Sequence, residues 1–427
     1  MKNRQEKITV LGFVIWSLAA LFFLYEFFLR TFVGTVAHQI IPDLHLNAET
    51  FSLLGTAYFL SYGIMQIPVG ILCDKFGVKK IMIFATLICA LATFLFAHST
   101  GFATAFVGRL FMGFGSSFAF IALLVVALIW FPHRYFGFFA GASQFIGTMG
   151  PLLAAGPLMT MITSLHETWR TALSSIGMFG VVLAILILFI VRNKPKNATG
   201  DMQYLLRPEA IKPQLQRLLG NRQAWSIALY SAVVYVSIFL LAGVWGPDYL
   251  QLRGLSQTAA AYILSVAWIG YAVGCPLFGA LSDVMRKRKP PLILCAIIGI
   301  VATLVIIFWQ SPNQFIYGTA FFLLGLAASG QSVGFAVISE HVDTRIKSTA
   351  LGLNNAAITL FSAILPVLVG WLVDVSSGGL ASNLTPQDFF LGFMSMPILY
   401  LVGLLISIFW IKETYCKPQK AVTKLLI

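Results

Sequence analysis

The sequence predicts an all-α integral membrane protein, with twelve transmembrane helices in two pseudo-symmetric six-helix bundles. Three observations carry this expectation. The apolar fraction is 59% and the charged fraction 10%, against about 45–50% and about 25% in ordinary soluble domains. The apolar residues gather into runs of roughly 20, the length of a helix that crosses a bilayer, and not into alternating ten-residue stretches. Finally, the segment Gly70 to Lys80, GILCDKFGVKK, returns in weaker form as Gly279 to Lys289, GALSDVMRKRK, 209 residues later in a chain of 427. Backbone polar groups in hydrocarbon must be satisfied internally, so runs of this length form helices.

In chain order the spans are expected at 10–38, 50–73, 79–97, 101–130, 134–162, 171–191, 224–247, 257–282, 290–309, 314–338, 347–373 and 388–411. Most connections are short. The exception, 192–222, is polar, holds three prolines and separates an N-terminal bundle (1–191) from a C-terminal one (223–427) with a short cytoplasmic tail. The net charge of +13 could point to nucleic acid, but its placement argues against that partner. All Lys and Arg except Arg30, Arg109, Arg170 and Arg253 fall in segments on one side of the membrane, among them Lys2, Arg4, Lys7 and the run from Arg286 to Lys289. This is the positive-inside bias, and it puts both termini in the cytoplasm.

Five cysteines (Cys73, Cys89, Cys275, Cys295, Cys416) lie in spans or in the tail, so no disulfide framework is expected. The first span is too long for the apolar region of a cleaved signal peptide. Asn383-Leu384-Thr385 is a glycosylation triplet in an outer loop, short enough to arise by chance. No phosphate-binding loop, metal-ligand spacing or serine-nucleophile elbow appears, so neither a cofactor nor an enzymatic reaction is expected.

The repeated segment can be read physically. Gly70 allows two helices to approach closely, and Gly77 permits a tight turn. Asp74, at a helix end and facing basic side chains such as Lys75, Lys79 and Lys80, is expected to form a charge-paired cytoplasmic latch; the bland alternative is a solvated aspartate in a positively charged loop. Gly279 and Asp283 keep the pattern in the second copy, without the inner glycine. A second echo, RYFGFFAG from Arg134 and RIKSTALG from Arg345, opens spans five and eleven at an offset of 211.

With its span count, central linker and Gly70–Asp74–Lys75–Gly77–Lys79–Lys80 pattern, the chain resembles the major facilitator superfamily over essentially its whole length. The resemblance implies a secondary transporter whose halves rock around a central site. Trp130-Phe131-Pro132 resembles the span-four ending of several solute-transporting branches, and Arg109 in GRLFMGFGSS is similar to the superfamily's span-four arginine, linked to proton coupling or substrate charge. The organic-anion branch often carries an acid where this chain has Ser116. The glycines and prolines of span five (Gly141, Gly147, Gly150, Pro151, Gly156, Pro157) loosely resemble a drug-antiporter pattern; close helix packing is the simpler explanation.

Charges inside spans carry the functional signal, since a charge near the bilayer centre costs at least about 2.5–3.5 kcal/mol. Glu26 and Arg30, four apart in YEFFLR, share a helix face. Organic-anion symporters of the superfamily have an acid followed by arginine in this span, usually adjacent; here three residues intervene. Arg30 is expected to hold a substrate carboxylate and Glu26 the coupled proton. The alternatives are a self-neutralising ion pair, or an arginine reaching the outer interface. Arg109 is expected either at the substrate or bonded to helix carbonyls. Tyr62, on a stripe with Tyr58 and Gln66, together with Gln144, Tyr235 and Asn355, completes the candidate cavity.

The expected function is proton-coupled import of a small polar, carboxylate-bearing nutrient (an amino acid, short peptide or organic acid) by a monomer in a bacterial inner membrane. Its partners would be the substrate, protons and the lipid bilayer. The resemblance extends to bacterial organic-acid and amino-acid carriers, including nutrient importers of intracellular bacteria. The rivals are an exporter of drugs or of a metabolite such as a siderophore, and a transporter-like solute sensor. A tail of about 14 residues after Glu413 argues against the sensor.

Overall fold

The computed structural model describes residues 8–46, 48–154, 157–158, 161–162, 168–195, 211–343, 346–377 and 384–417. Among these, the regular structure is helix, with no strand. The long helices are α1 (Val10–Thr35), α2 (Ala48–Phe76), α3 (Val78–Ala97), α4 (Phe102–Trp130), α5 (Phe136–Ala154) and α6 (Trp169–Ile190). After them come α7 (Arg222–Leu252), α8 (Gln257–Met285), α9 (Lys289–Phe308), α10 (Gln314–His341), α11 (Lys347–Ser376) and α12 (Phe390–Trp410).

Their ends follow local rules. Thr9 caps α1 by accepting from the Gly12 N–H at 3.1 Å, Asn221 caps α7 and Ser256 caps α8. Thr168 and Thr171 form a reciprocal capping box at the start of α6. Gly77, at φ +77°, turns the chain between α2 and α3, as the loop pattern requires. Several helices depart from regular geometry, α10 among them with a break at Ser329. The bend in α2 is 56° between Leu53–Gln66 and Pro68–Phe76, a proline effect. In α7 the segment Phe239–Trp245 is π-helical, and α12 ends in a π turn, Ile406–Trp410.

The expected count of twelve spans is not matched in full. Among the described residues ten helices are long and apolar enough to cross a membrane, or eleven when bent α2 is included. The remaining one, α5, runs 19 residues with Ser143, Gln144 and Thr148 on it, and its expected continuation to 162 is only partly described. Gly156, Asn383, Arg345, the N-terminal basic residues Lys2, Arg4 and Lys7, and most of the linker lie outside the described residues. Within that linker a short helix forms at Ile211–Leu219.

By their contacts the residues gather into two compact units. The first comprises Met1–Pro132, Ile146–Gln216 and Thr344–Gly352; the second comprises His133–Phe145, Arg217–Asp343 and Leu353–Ile427. Lipid provides no hydrophobic drive for helices to associate, so close backbone approach at small residues matters most. In the first unit a Cβ on Gly113 of α4 would stand 2.2 Å from the Tyr58 carbonyl of α2. In the second, a Cβ on Gly325 of α10 would stand 2.0 Å from the Ala267 carbonyl of α8. Residues 58 and 267 are 209 apart, so the same helix contact is built twice. Two of the span-five glycines are accounted for by packing as well: Gly147 meets the Phe23 ring, and Gly150 the Leu24 carbonyl. Large apolar side chains such as Phe189, Val284 and Val367 stay exposed, as a lipid-facing surface requires.

Candidate functional site

The first unit brings together four of the residues singled out in the sequence: Glu26, Arg30, Tyr62 and Arg109. Glu26 and Arg30 lie one turn apart on α1. Arg30 donates Nε to Glu26 Oε1 at 3.0 Å, and Nη2 reaches the same oxygen. Tyr58 of α2 donates its hydroxyl to that oxygen at 2.9 Å. Glu26 is fully buried, and its Oε2 has no hydrogen-bond partner among the described residues. The Arg30 side chain is 18% exposed. Its guanidinium stacks on Phe27 (4.3 Å) and Tyr62 (4.5 Å), contacts that hold a cation against aromatic faces. The Nε–Nη2 edge serves Glu26, whereas Nη1 has no partner among the described residues.

Arg109 lies a helix away on α4 and is 1% exposed. Its Nε donates to the Leu54 carbonyl of α2 at 3.1 Å, and its Nη1 to the Leu29 carbonyl of α1 at 2.6 Å. Nη2 reaches the Arg30 carbonyl at 3.5 Å. The guanidinium also sits 4.5 Å from the Tyr58 ring. Of the two roles expected for Arg109, this geometry matches the bonded-to-carbonyls one: it ties α1, α2 and α4 together next to the ion pair. Tyr58 and Tyr62 stack at 6.2 Å, 12° from parallel. The order is therefore Arg109, Tyr58, Tyr62, Arg30, with Glu26 bridging the middle.

The remaining candidates belong to the second unit. Tyr235 of α7 packs edge-on against Tyr271 of α8 at 5.7 Å. Tyr271 in turn accepts from Gln331 of α10 and meets Trp268 at 6.1 Å. Gln144 and Asn355, 211 apart, are both largely buried, on α5 and α11.

The loop residues give two corners, one in each unit. In the first, a Cβ on Gly70 would stand 2.5 Å from the Ser348 carbonyl, and Asp74 Oδ2 accepts from Thr349 N (3.2 Å) and Oγ1 (2.8 Å) at the start of α11. In the second, a Cβ on Gly279 would stand 2.2 Å from the Gly137 carbonyl, and Asp283 Oδ2 accepts from Phe138 N (2.8 Å) at the start of α5. Positions 138 and 349 are 211 apart, the offset of the second echo. Each aspartate thus meets the N-terminal N–H groups of a helix, where an anion is favoured. Of the loop's basic residues, Lys75 lies over the Phe76 ring at 5.2 Å, Lys80 is exposed, and Lys79 donates its backbone N–H to Asn193 at 2.9 Å; Arg345, near Thr349 in sequence, lies outside the described residues.

In the second corner the aspartate has a charge partner. Fully buried Arg288 bonds Asp283 Oδ1 at 2.6 Å through Nη1 and Glu340 Oε1 at 2.7 Å through Nη2. Thr414 donates to the other Glu340 oxygen. Glu413 accepts from Arg288 N (2.7 Å) and Lys289 N (2.9 Å), capping α9. Burial would raise the Glu413 carboxyl, but these N–H donors, with those of Tyr415 and Thr414, hold it below the usual carboxylate range. Sequence reasoning missed Glu340, Glu413, Thr349 and the role of Tyr58. Tyr58 had a signal, its four-residue spacing from Tyr62, and Thr349 lies in the echo RIKSTALG; Glu340 and Glu413 had none.

Known proteins resemble the chain over most of its length. The model of the family described as Major Facilitator Superfamily matches residues 15–330 and again 258–424. An uncharacterized transporter of Bacillus subtilis (strain 168), YybO, is 25% identical over 443 residues, covering 95% of this chain and 96% of that one. The probable galactarate/D-glucarate transporter GarP of Escherichia coli (strain K12) is 25% identical, covering 81% and 84%. Among solved structures, the proton:xylose symporter XylE superposes with a TM-score of 0.72 at 15% identity, covering 95% and 97%.

Proposed function

This chain belongs to the Major Facilitator Superfamily and is a multi-pass membrane transporter; from that premise we propose that it imports a small carboxylate-bearing nutrient together with a proton. The observation that carries the reading is the Glu26–Arg30 pair. Arg30 bonds Glu26 along one guanidinium edge and keeps Nη1 for a ligand. A planar fork of this kind matches a carboxylate, which can accept two parallel N–H bonds. Glu26 is the proton carrier in this scheme, because neutralising it leaves Arg30 with a charge that only an incoming anion offsets. Proton binding and carboxylate binding then favour each other. The relative GarP, a probable galactarate/D-glucarate transporter, and the proton:xylose symporter XylE support the same reading.

Arg109 acts as a brace that fixes the α1 backbone at Leu29 and Arg30. Tyr62 supports the Arg30 face, and Gln144, Tyr235 and Asn355 contact the rest of the substrate. The bundles 1–191 and 223–427 are the moving bodies, joined by 192–222. The cytoplasmic gate is formed by Gly70, Asp74, Lys75, Gly77, Lys79 and Lys80 with Gly279 and Asp283. The protein works as a monomer in a bacterial inner membrane with both termini cytoplasmic. The test is uptake of labelled D-glucarate, other organic acids and amino acids into proteoliposomes under an inward proton gradient. Glu26→Gln is expected to keep exchange and lose accumulation; Arg30→Ala is expected to lose both. Accumulation by Glu26→Gln against a gradient would sink the proton role, and hydrophobic substrates unaffected by Arg30→Ala would favour export.

A further inference from the structure

We propose that Tyr58 is the positioning residue of the proton site, holding Glu26 Oε1 so that the proton is taken at Oε2. The inference rests on the reading of Glu26 as proton carrier. All three donors at this carboxylate converge on one oxygen: Arg30 Nε and Nη2, and the Tyr58 hydroxyl at 2.9 Å. Oε2 is buried and receives none among the described residues. A carboxylate so polarised has one oxygen whose lone pairs are engaged and one open to a proton. Uptake forms an O–H bond at Oε2 and leaves the bonds at Oε1 in place, so Arg30 need not move.

Tyr58 is well suited to the task because its own position is fixed on every side. The Arg109 guanidinium covers one face of the ring at 4.5 Å, and Tyr62 stacks with it. Arg109 also bonds the Leu54 carbonyl, one turn earlier in α2. Gly113 of α4 approaches the Tyr58 carbonyl too closely for any side chain. The hydroxyl therefore points at Glu26 in a preset geometry. The groups facing Glu26 are few: Arg30 on α1, Tyr58 on α2 backed by Tyr62, the Cys89 thiol on α3, and on α4 Ser116 and Arg109 beyond the Tyr58 ring. Ser116, where the organic-anion branch often carries an acid, stands beside the Tyr58 hydroxyl. In this chain a neutral hydroxyl pair takes the place of a second carboxylate.

An O–H donated to a carboxylate favours the ionised form. A hydrogen bond to a charged group contributes the equivalent of about one to two pH units. The test uses full-length protein in liposomes without substrate. The carboxylic-acid carbonyl stretch of Glu26, assigned by its loss in Glu26→Gln, is followed by infrared spectroscopy against pH. In Tyr58→Phe, which keeps the ring and its stacking, the midpoint is expected to move up by about one pH unit. An unchanged midpoint, with the band present in both proteins, would overturn the positioning role alone. Absence of any titrating band that Glu26→Gln removes would overturn the proton-carrier reading itself.

Discussion

The two units share a scaffold and differ in what they place on it. At equivalent positions 209 apart, the first has Glu26, Arg30 and Tyr62, and the second has Tyr235, Phe239 and Tyr271. The interior of the first is a charged network held by aromatic rings; that of the second is aromatic, with the Gln331 amide on Tyr271. The corners differ in the opposite sense. The first closes with a neutral cap, Asn193 on Lys79 N, and an aspartate on Thr349. The second closes with Arg288, Asp283, Glu340 and Glu413. A duplicated backbone keeps its close contacts at glycines, while the chemistry of each copy is free to diverge.

The largest expected effect separates the corners. Arg288→Met leaves Asp283 and Glu340 buried without their cation, at a cost of about 3–5 kcal/mol. Lys79→Met, at the equivalent position but half-exposed, is expected to stay within about 0.5 kcal/mol. Thermal unfolding in detergent checks both, and equal losses would mean that the corners are not distinct. Next come the glycines, where the corners should agree. Gly70→Ala and Gly279→Ala each drive a methyl into a backbone carbonyl and are expected to cost about 1–3 kcal/mol. A silent Gly279→Ala would break the equivalence.

A smaller effect is expected for Asp74→Asn. The amide oxygen can still accept from Thr349, so the loss is the charge-assisted part, about 1 kcal/mol. Uptake at unchanged rate in Asp74→Asn would remove it from the gate. The smallest effect is a pH dependence carried by Glu413 in the second corner. Glu413 is held below its ordinary value of about 4.3, so its contribution to stability is complete above that value. It is lost as the pH falls through the lower, folded value. Unfolding temperatures measured from pH 7 to pH 3 should fall more steeply in the wild type than in Glu413→Gln.

Much of this is legible in the sequence. The offsets of 209 and 211 pair Asp74 with Asp283 and Thr349 with Phe138, because duplication preserves spacing. The shared face of Glu26 and Arg30 follows from helical periodicity alone. Glu340 carried no such signal: it reaches Arg288 across 52 residues, and no periodic pattern connects them. The bonds of Asp74 to Thr349 were hidden for a related reason. Sequence shows which side chains are near in the chain, but the N–H groups at a helix start belong to no residue type, and any segment can present them.

The sequence by itself determined the membrane class, the helices, the duplication and the i, i+4 ion pair, because apolar run length, repeat spacing and helix geometry are local properties of the chain. Only the tertiary structure decided that Tyr58 and Arg109 close around that pair, that Arg109 spends its donors on carbonyls, and that Arg288 joins Asp283 to Glu340. These depend on which helices approach within hydrogen-bonding distance. That choice is set by glycine-mediated packing between segments far apart in sequence.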